Sequence, residues 1–165
     1  MAVLFDGLAP EWHTRGVEGR YDALLDALDR GDVPTDGPAL ELGSGTGLST
    51  PLLAEHFGNL IAADLSREML RLAPAAAAPR VQLDSSCLPI PDGALTVVLA
   101  INMLLFPEAM ARVLAPEGVL VWVNTSGDRT PIHLPSDDVV TAMGEGWTGI
   151  ASEAGTGTWC VTRRT

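Results

Sequence analysis

The sequence has no lysine, and all ten of its basic residues are arginine. This absence excludes chemistry that needs a lysine amine, namely a Schiff base, a P-loop lysine or a Tyr-Lys proton relay. Acidic residues number 21, so the formal net charge is −11 at pH 7. A chain this acidic repels phosphate backbones and anionic membrane surfaces at long range. We therefore do not expect nucleic acid as a partner.

Cysteine and histidine are also scarce. Cys87 and Cys160 lack CxxC spacing, so they predict neither a zinc site nor a disulfide framework, and we expect two small buried side chains. The three histidines, His13, His56 and His133, form no HxH or HxxxH pair. Because a metal centre needs several such ligands close together, none is expected.

Long hydrophobic runs are missing as well. The apolar runs are about four to eight residues long, whereas a membrane span needs ~18. Residues 1–6 have neither a basic start nor a long apolar stretch, so no secretory signal is predicted. A membrane span is not expected, and a cytoplasmic location follows by default. A length of 165 residues suits one domain.

Short apolar segments alternate with helical segments through the middle of the chain. Strands are predicted at 38–42, 59–63, 80–84, 94–101 and 118–124, and helices at 17–29, 48–57, 66–72 and 107–114. This alternation is typical of a parallel sheet with helices on both faces. The connection 85–93 is too short for a full helix and predicts a single turn.

The C-terminal segment, residues 126–165, has a different pattern of predicted elements. A short helix near 137–143 precedes predicted strands at 147–153 and 157–163, joined by a Gly155-Thr156-Gly157 turn that favours a hairpin. Residues 1–16 mix apolar residues with Gly and Pro and indicate an irregular arm. We predict one domain over 1–165, with the arm at 1–16, a core at 17–125 and the helix and hairpin at 126–165. Its fold class is α/β, a Rossmann-like doubly wound sheet of five parallel strands plus a C-terminal antiparallel hairpin.

A glycine-rich loop, Glu41-Leu-Gly-Ser-Gly-Thr-Gly47, follows the first predicted strand. Glycine permits positive φ and close approach of a ligand, and a loop between a strand and a helix offers free backbone N–H groups. The loop therefore predicts a site for a polar ligand. It does not complete the dinucleotide pattern GxGxxG, because the sixth residue is Leu48 counted from Gly43 and Thr50 counted from Gly45.

Acidic residues end the first three predicted strands, at Glu41, Asp64 and Asp84. Because the carboxyl ends of parallel strands share one edge, these acids and the loop are expected to meet in one crevice. A carboxylate at Asp64 could accept both hydroxyls of a ribose. Two simpler interpretations stay open. Asp84 suits a plain turn before two serines. Asn102, after the fourth strand, could simply cap the next turn and have no role in binding.

Four segments carry a family resemblance: 39–47 (ALELGSGTG), 63–70 (ADLSREML), 83–92 (LDSSCLPIPD) and 112–118 (RVLAPEG). They resemble class I S-adenosylmethionine-dependent methyltransferases, and most of all the small-molecule branch that includes quinone-biosynthesis enzymes. The resemblance covers about residues 5–125. It implies the seven-stranded methyltransferase fold, S-adenosylmethionine as cofactor, and transfer of its methyl group (EC 2.1.1.-) to an unidentified small-molecule acceptor.

The resemblance also implies roles for individual residues. Glu41, Gly43 and Gly45 would lie near the methionine part of the cofactor, and Asp64 would bind the ribose. On the adenine, Asp84 would bind the amino group, Leu65 and Leu88 would sandwich the ring, and the Ser85 backbone would lie close by. The main chain at 100–102 would line the methionine end. The complete set of predicted cofactor-binding residues is Glu41, Gly43, Ser44, Gly45, Gly47, Asp64, Leu65, Asp84, Ser85, Leu88, Ile101 and Asn102.

A general base is harder to assign. His133, in the loop after the fifth strand, and His13, in the arm beside Trp12, are the candidates, since histidine titrates near neutral pH. The segment 126–135 is too short for a substrate lid, so we expect the arm to close the pocket. A non-catalytic cofactor-binding module or partner subunit is the alternative to an enzyme. A homodimer also stays open.

Overall fold

The computed structural model describes residues 2–12, 19–74 and 77–165. His13 lies outside the described residues. The described part contains seven strands and six α-helices. The strands are β1 (Ala39–Leu42), β2 (Leu60–Asp64), β3 (Arg80–Gln82), β4 (Leu95–Ile101), β5 (Leu114–Asn124), β6 (Trp147–Ala154) and β7 (Gly157–Arg164). The helices are α1 (Ala2–Trp12), α2 (Asp22–Arg30), α3 (Thr50–His56), α4 (Arg67–Leu72), α5 (Pro107–Val113) and α6 (Ser136–Met143).

All seven strands form one sheet in the order β3-β2-β1-β4-β5-β7-β6. Strands β1 to β5 pair in parallel, and β7 is antiparallel to both of its neighbours. This confirms the predicted fold class, five parallel strands followed by a C-terminal hairpin. The strand order reverses between β1 and β4, so the carboxyl ends of these strands border the crevice where open α/β sheets bind ligands.

Each face of the sheet carries a hydrophobic core. On one face, α2 and α3 contribute Leu24 and Leu53, which pack with β5 residues such as Val121. On the other face, α5 and α6 contribute Met110 and Val139, with no helix between β3 and β4. The run of buried residues along β1 and β4 is the pattern of strands covered on both faces. Among the described residues, no helix is both long and apolar enough to cross a membrane.

The N-terminal segment corrects the sequence prediction. Where an irregular arm was expected at 1–16, residues Ala2–Trp12 form α1. Gly7 and Pro10 lie inside this helix and obscure its pattern, since both residues usually mark turns. The helix packs on α4, beside the carboxyl end of β2.

Smaller corrections concern element ends and one cysteine. Helix α5 stops at Val113, and β5 begins at Leu114 with a register irregularity before it pairs regularly from Val119. Helix α3 begins at Thr50, two residues later than predicted. Cys160 is buried as expected, but Cys87 is exposed, because it lies in the turn after β3 and not in a strand.

Candidate functional site

The glycine-rich loop leaves β1 through three residues with positive φ, which are Gly43 at 67°, Gly45 at 57° and Gly47 at 74°. Glycine adopts this conformation without the steric cost that a Cβ would add. A Cβ at Gly43 would also lie 3.2 Å from the Met103 side chain. The alternating glycines are therefore required by the path of the loop itself.

The sequence predicted free backbone N–H groups in this loop, and the structure corrects that prediction. The Ser44 amide donates to the Ala63 carbonyl at 3.0 Å, and the Gly47 amide donates to the Ser44 carbonyl at 2.9 Å. The Gly45 amide donates to Asp64 Oδ2 at 2.8 Å. These three N–H groups are therefore bound within the protein and are not free for a ligand. The loop is instead rigidly attached to the end of β2.

Asp64 joins the loop to the start of α4. Its other carboxylate oxygen, Oδ1, accepts from the Ser66 amide at 2.7 Å. Burial raises the pKa of Asp64, the amide hydrogen bonds from Ser66 and Gly45 oppose that rise, and the nearby Asp6 carboxylate adds to it. Each oxygen keeps a further lone pair, so the fixed carboxylate can still accept from a ligand hydroxyl.

Glu41 lies deeper, beneath the loop, and is 2% exposed. Thr50 Oγ1, at the first residue of α3, donates to its Oε2 at 2.6 Å. Burial raises the pKa of Glu41 from 4.5 to about 7; the Thr50 hydrogen bond opposes this, and Asp64 adds to it. A buried carboxyl group with one hydrogen bond is costly to ionise unless a cation approaches it.

Two hydroxyl groups of the loop are buried and unpartnered. Among the described residues, Ser44 Oγ and Thr46 Oγ1 have no hydrogen-bond partner. Thr46 is 1% exposed, so bulk water does not satisfy it in the way it satisfies a surface hydroxyl. Buried polar groups without partners mark positions where a polar ligand can bind. The residues of the loop therefore fit a polar cofactor.

The residues predicted to bind adenine differ in how far they are exposed. Asp84 is exposed, and its Oδ1 accepts from the amide and hydroxyl of Ser86 at 2.9 and 2.6 Å, which lower its pKa. This is the plain turn that the sequence left open, with an ionised carboxylate facing solvent. Leu65 and Ser85 are half-buried. Leu88 packs in the core on the α5 face.

Asn102 links the ends of β4 and β5. Its Oδ1 accepts from the Thr125 amide and its Nδ2 donates to Thr125 Oγ1, each at 2.8 Å. The residue has a φ of 52°, which is uncommon outside glycine but tolerated by asparagine. Asn102 therefore does not cap the next turn with its side chain. It fixes the backbone after Ile101, which is half-buried at the same edge.

The histidines lie in different surroundings. His133 is half-buried in a cleft of about 600 Å³ beyond β5, at the carboxyl edge of the sheet. His56 is exposed on α3, where its Nδ1 lies 3.1 Å from the Leu52 carbonyl oxygen. A smaller cavity of about 240 Å³ lies between Asp32 and Ile150, near the opposite edge of the sheet. None of the residues that line it belongs to the glycine-rich loop.

Four residues at this edge were missed by sequence reasoning: Asp6, Thr50, Met103 and Thr125. Asp6 Oδ1 accepts from Ser66 Oγ at 2.5 Å and from the Glu68 amide at 3.4 Å. Asp6, Met103 and Thr125 act through contacts with distant segments, so no local pattern marks them. The one available signal was Thr50 near the start of a predicted helix, nine residues from Glu41.

Comparison with known protein families identifies the family of this chain. Residues 40–122, half of the chain, match the model of a methyltransferase domain. The chain belongs to the methyltransferase-domain family. The matched range runs from β1 to β5 and contains the loop, Asp64, Asp84 and Asn102. Curated proteins give no match to the sequence.

Solved structures share the fold. The chain superposes on DhpI in its complex with S-adenosylhomocysteine (SAH) with a TM-score of 0.79, 22% identity and coverage of 99% of this chain and 94% of DhpI. The DhpI-SAM-HEP complex gives a TM-score of 0.73, 21% identity and coverage of 98% and 94%. A SAM-dependent methyltransferase of Aquifex aeolicus gives a TM-score of 0.71, 16% identity and coverage of 98% and 97%.

Proposed function

We propose that this chain is an S-adenosylmethionine-dependent methyltransferase that transfers the methyl group in line to a small-molecule acceptor. The observation that carries the proposal is the glycine loop held by Asp64, with two buried hydroxyls, Ser44 Oγ and Thr46 Oγ1, that have no partner in the described part of the chain. Family membership gives this loop its context, and DhpI, of the same fold, has been solved with both SAM and SAH. The cofactor supplies an electrophilic methyl group.

The predicted residues take roles along the carboxyl edge. We infer that Asp64 binds the ribose hydroxyls and that Asp84, exposed and ionised, lies toward the adenine amino group. Glu41 is proposed to face the positively charged methionine end, because a cation there would offset the cost of ionising a buried carboxyl group. Asn102, fixed to Thr125, holds the backbone that borders that end.

The same roles divide the chain into functional parts. We propose that residues 17–125 hold the cofactor and that 126–165 form the acceptor side, within one functional domain. The protein's task in the reaction is to hold a nucleophile about 3–3.5 Å from the methyl group, in line with the bond that breaks. We propose His133 as the general base, because it lies in a cleft at the correct edge. The likeness to the quinone-biosynthesis branch stays a prediction from the four sequence segments.

Formation of SAH tests the proposal directly. The chain is incubated with SAM and a panel of small phenols, amines, thiols and quinols, and SAH is measured by mass spectrometry. We expect SAH formation with at least one acceptor and inhibition by added SAH. We also expect His133→Gln to lower the rate by about 10²-fold or more where an O–H or N–H proton must leave. Tight SAM binding with no turnover on the whole panel would instead favour the non-catalytic module.

A further inference from the structure

The cleft that holds His133 has two walls of different origin. The 3-10 turn at Gly127–Arg129 and the segment that follows it form one wall, and the turn between β6 and β7 forms the other. Gly127 allows this arrangement, since a Cβ there would lie 3.2 Å from the Thr156 carbonyl oxygen. The resulting volume of about 600 Å³ is that of a small-molecule site.

A short chain of hydrogen bonds connects the cleft to the end of β4. Thr156 Oγ1, in the cleft wall, donates to the Thr125 carbonyl at 3.0 Å. Thr125 is in turn held by both side-chain atoms of Asn102. One residue therefore separates the cleft from the backbone that is proposed to border the methyl-donor end. The pairing of Thr158 with Asn124 places the cleft and that end at the same carboxyl edge of the sheet.

Carboxylates line the cleft, and Arg30, which donates to Oγ of the lining residue Ser152 at 3.4 Å, is itself paired with Asp26 at 2.9 Å. Asp128 and Glu153 line it with exposed carboxylates, and no arginine is among the described residues that line it. The chain as a whole carries a net charge of −11, which adds a field of the same sign. An anionic molecule is therefore repelled from this cleft, whereas a cation is attracted to it.

Asn124 lies behind the wall and connects it to the end of β5. Asn124 is 1% exposed, and its Nδ2 donates to the Leu134 carbonyl at 3.1 Å and to Thr158 Oγ1 at 3.3 Å. Its Oδ1 has no partner among the described residues. This acceptor is enclosed by protein, and Asn124 is not among the residues that line the cleft, so it contributes to the wall and not to ligand contact.

From these observations we propose that the cleft is the acceptor site and that it selects a small molecule carrying an ammonium group, held between Asp128 and Glu153. This inference rests on the proposed methyltransferase function and adds the chemical class of its acceptor. The ammonium group serves as the recognition element. The nucleophilic atom is a separate part of the acceptor and faces the end of β4.

Binding of matched probes to the full chain saturated with SAH tests this inference. The first series is tyramine, 4-ethylphenol and 4-hydroxyphenylacetate, which share a phenol ring and differ in charge. The second series is tryptamine, 3-ethylindole and indole-3-acetate. We expect the amine of at least one series to bind about fivefold or more tighter than its uncharged and anionic counterparts, and this preference to shrink at high salt.

Variants of the two carboxylates test whether the preference for the amine probe arises in the cleft. Asp128→Asn and Glu153→Gln should each weaken binding of the amine by about two- to fivefold, because exposed carboxylates contribute modestly. The matched control is Glu117→Gln, which removes an exposed carboxylate from the opposite edge and should change nothing. SAH affinity is measured in every variant and should stay constant.

Three outcomes would overturn the inference: no amine of either series binds, an uncharged or anionic probe binds as tightly as its amine, or a variant that combines Asp128→Asn with Glu153→Gln binds the amine like the wild type. Failure of the proposed function itself is distinguishable. A chain that does not bind SAH cannot be prepared in the SAH-loaded state, and a chain that binds SAH but methylates no acceptor of the panel is a non-catalytic module whose probe titration can still be read.

Discussion

A carboxyl group buried beneath a ligand loop changes how a protein responds to pH. Glu41 keeps its proton to a pH of about 7, because burial outweighs its hydrogen bond from Thr50. In the unfolded chain the same group titrates near 4.5. As the pH rises through this interval, the unfolded state gives up its proton first. The free energy of unfolding therefore falls between pH 4.5 and 7, and this contribution is most favourable below pH 4.5.

The first prediction concerns Glu41→Gln. At ~1.36 kcal/mol per pKa unit, the interval corresponds to a contribution of roughly 3 kcal/mol. The glutamine keeps an acceptor for Thr50 and cannot ionise, so at pH 8 the variant should be more stable than the wild type, with no such gain at pH 4.5. Urea unfolding at both pH values measures the difference.

Glu55→Gln is the control for this measurement, since Glu55 is exposed on α3, the helix that also carries Thr50. It should have nearly the same pH dependence as the wild type. If Glu41→Gln and Glu55→Gln give the same pair of unfolding curves, the pKa of Glu41 is not raised and its environment has been misjudged.

The second prediction concerns the ribose side. Asp64→Asn removes the charge that the amides of Gly45 and Ser66 hold in place. Hydrogen bonds to a charged group contribute about 1.5–3 kcal/mol, so SAM affinity should fall by roughly 10- to 100-fold. Calorimetric titration with SAM gives the dissociation constant. Asp36→Asn, in the exposed turn before β1, should bind SAM like the wild type. An unchanged affinity in Asp64→Asn would remove Asp64 from the site.

Some of these residues were predictable and others were not. Glu41 and Asp64 follow from the sequence, because each ends a short apolar strand and the strands share an edge. Asn102 was located correctly, but its bond to Thr125 was not foreseen, since the pairing depends on the register between β4 and β5. Asp6 was invisible, because its partner lies 60 residues away on α4.

At the scale of elements, α1 is the main difference between expectation and structure. Its packing on α4 is concentrated where Asp6 meets Ser66 and the Glu68 amide, next to the carboxylate of Asp64. Val3 and Leu4 on this helix stay exposed, so the contact with α4 is narrow. We propose that this helix covers the ribose side, in place of the irregular arm that was expected to close the pocket.

The third prediction follows from this packing. A chain shortened to begin at Arg15 lacks α1 and should bind SAM more weakly by several-fold, because Asp64 and the start of α4 become accessible to water. Asp6→Asn should have a smaller effect in the same direction, and Asp29→Asn, exposed on α2, should have none. Thermal unfolding of each variant separates loss of affinity from loss of fold. Full affinity and activity in the shortened chain would exclude α1 as a cover.

Other elements were predicted closely. The turn-only connection between β3 and β4 is as expected. Ser66, the first residue of the predicted helix 66–72, is the N-cap of α4, and its Oγ accepts from the Met69 amide at 3.1 Å. The start of β5 was placed late because Pro116 and Gly118 break the local strand pattern. Tertiary pairing with Leu95 extends the strand in spite of them. Element type therefore followed from sequence, whereas this boundary required the neighbouring strand.

For the whole molecule, the α/β fold class follows from the alternation of strands and helices, and the family was indicated by the resemblance of four segments. The acceptor does not follow from the sequence, because the cleft near His133 is assembled from the 3-10 turn and the β6–β7 hairpin, which are far apart in sequence. The acidic lining of this cleft could not be predicted from the sequence, because only the fold places Asp128 and Glu153 on the same cleft.

The most direct test of the central claim is calorimetric titration of the full chain with SAM, SAH and NAD under one set of conditions. The loop lacks the dinucleotide pattern, and Asp64 holds it at the end of β2. We therefore predict saturable binding of SAM and SAH at a single site, and no binding of NAD. Binding of NAD without binding of SAM or SAH would contradict the proposed function.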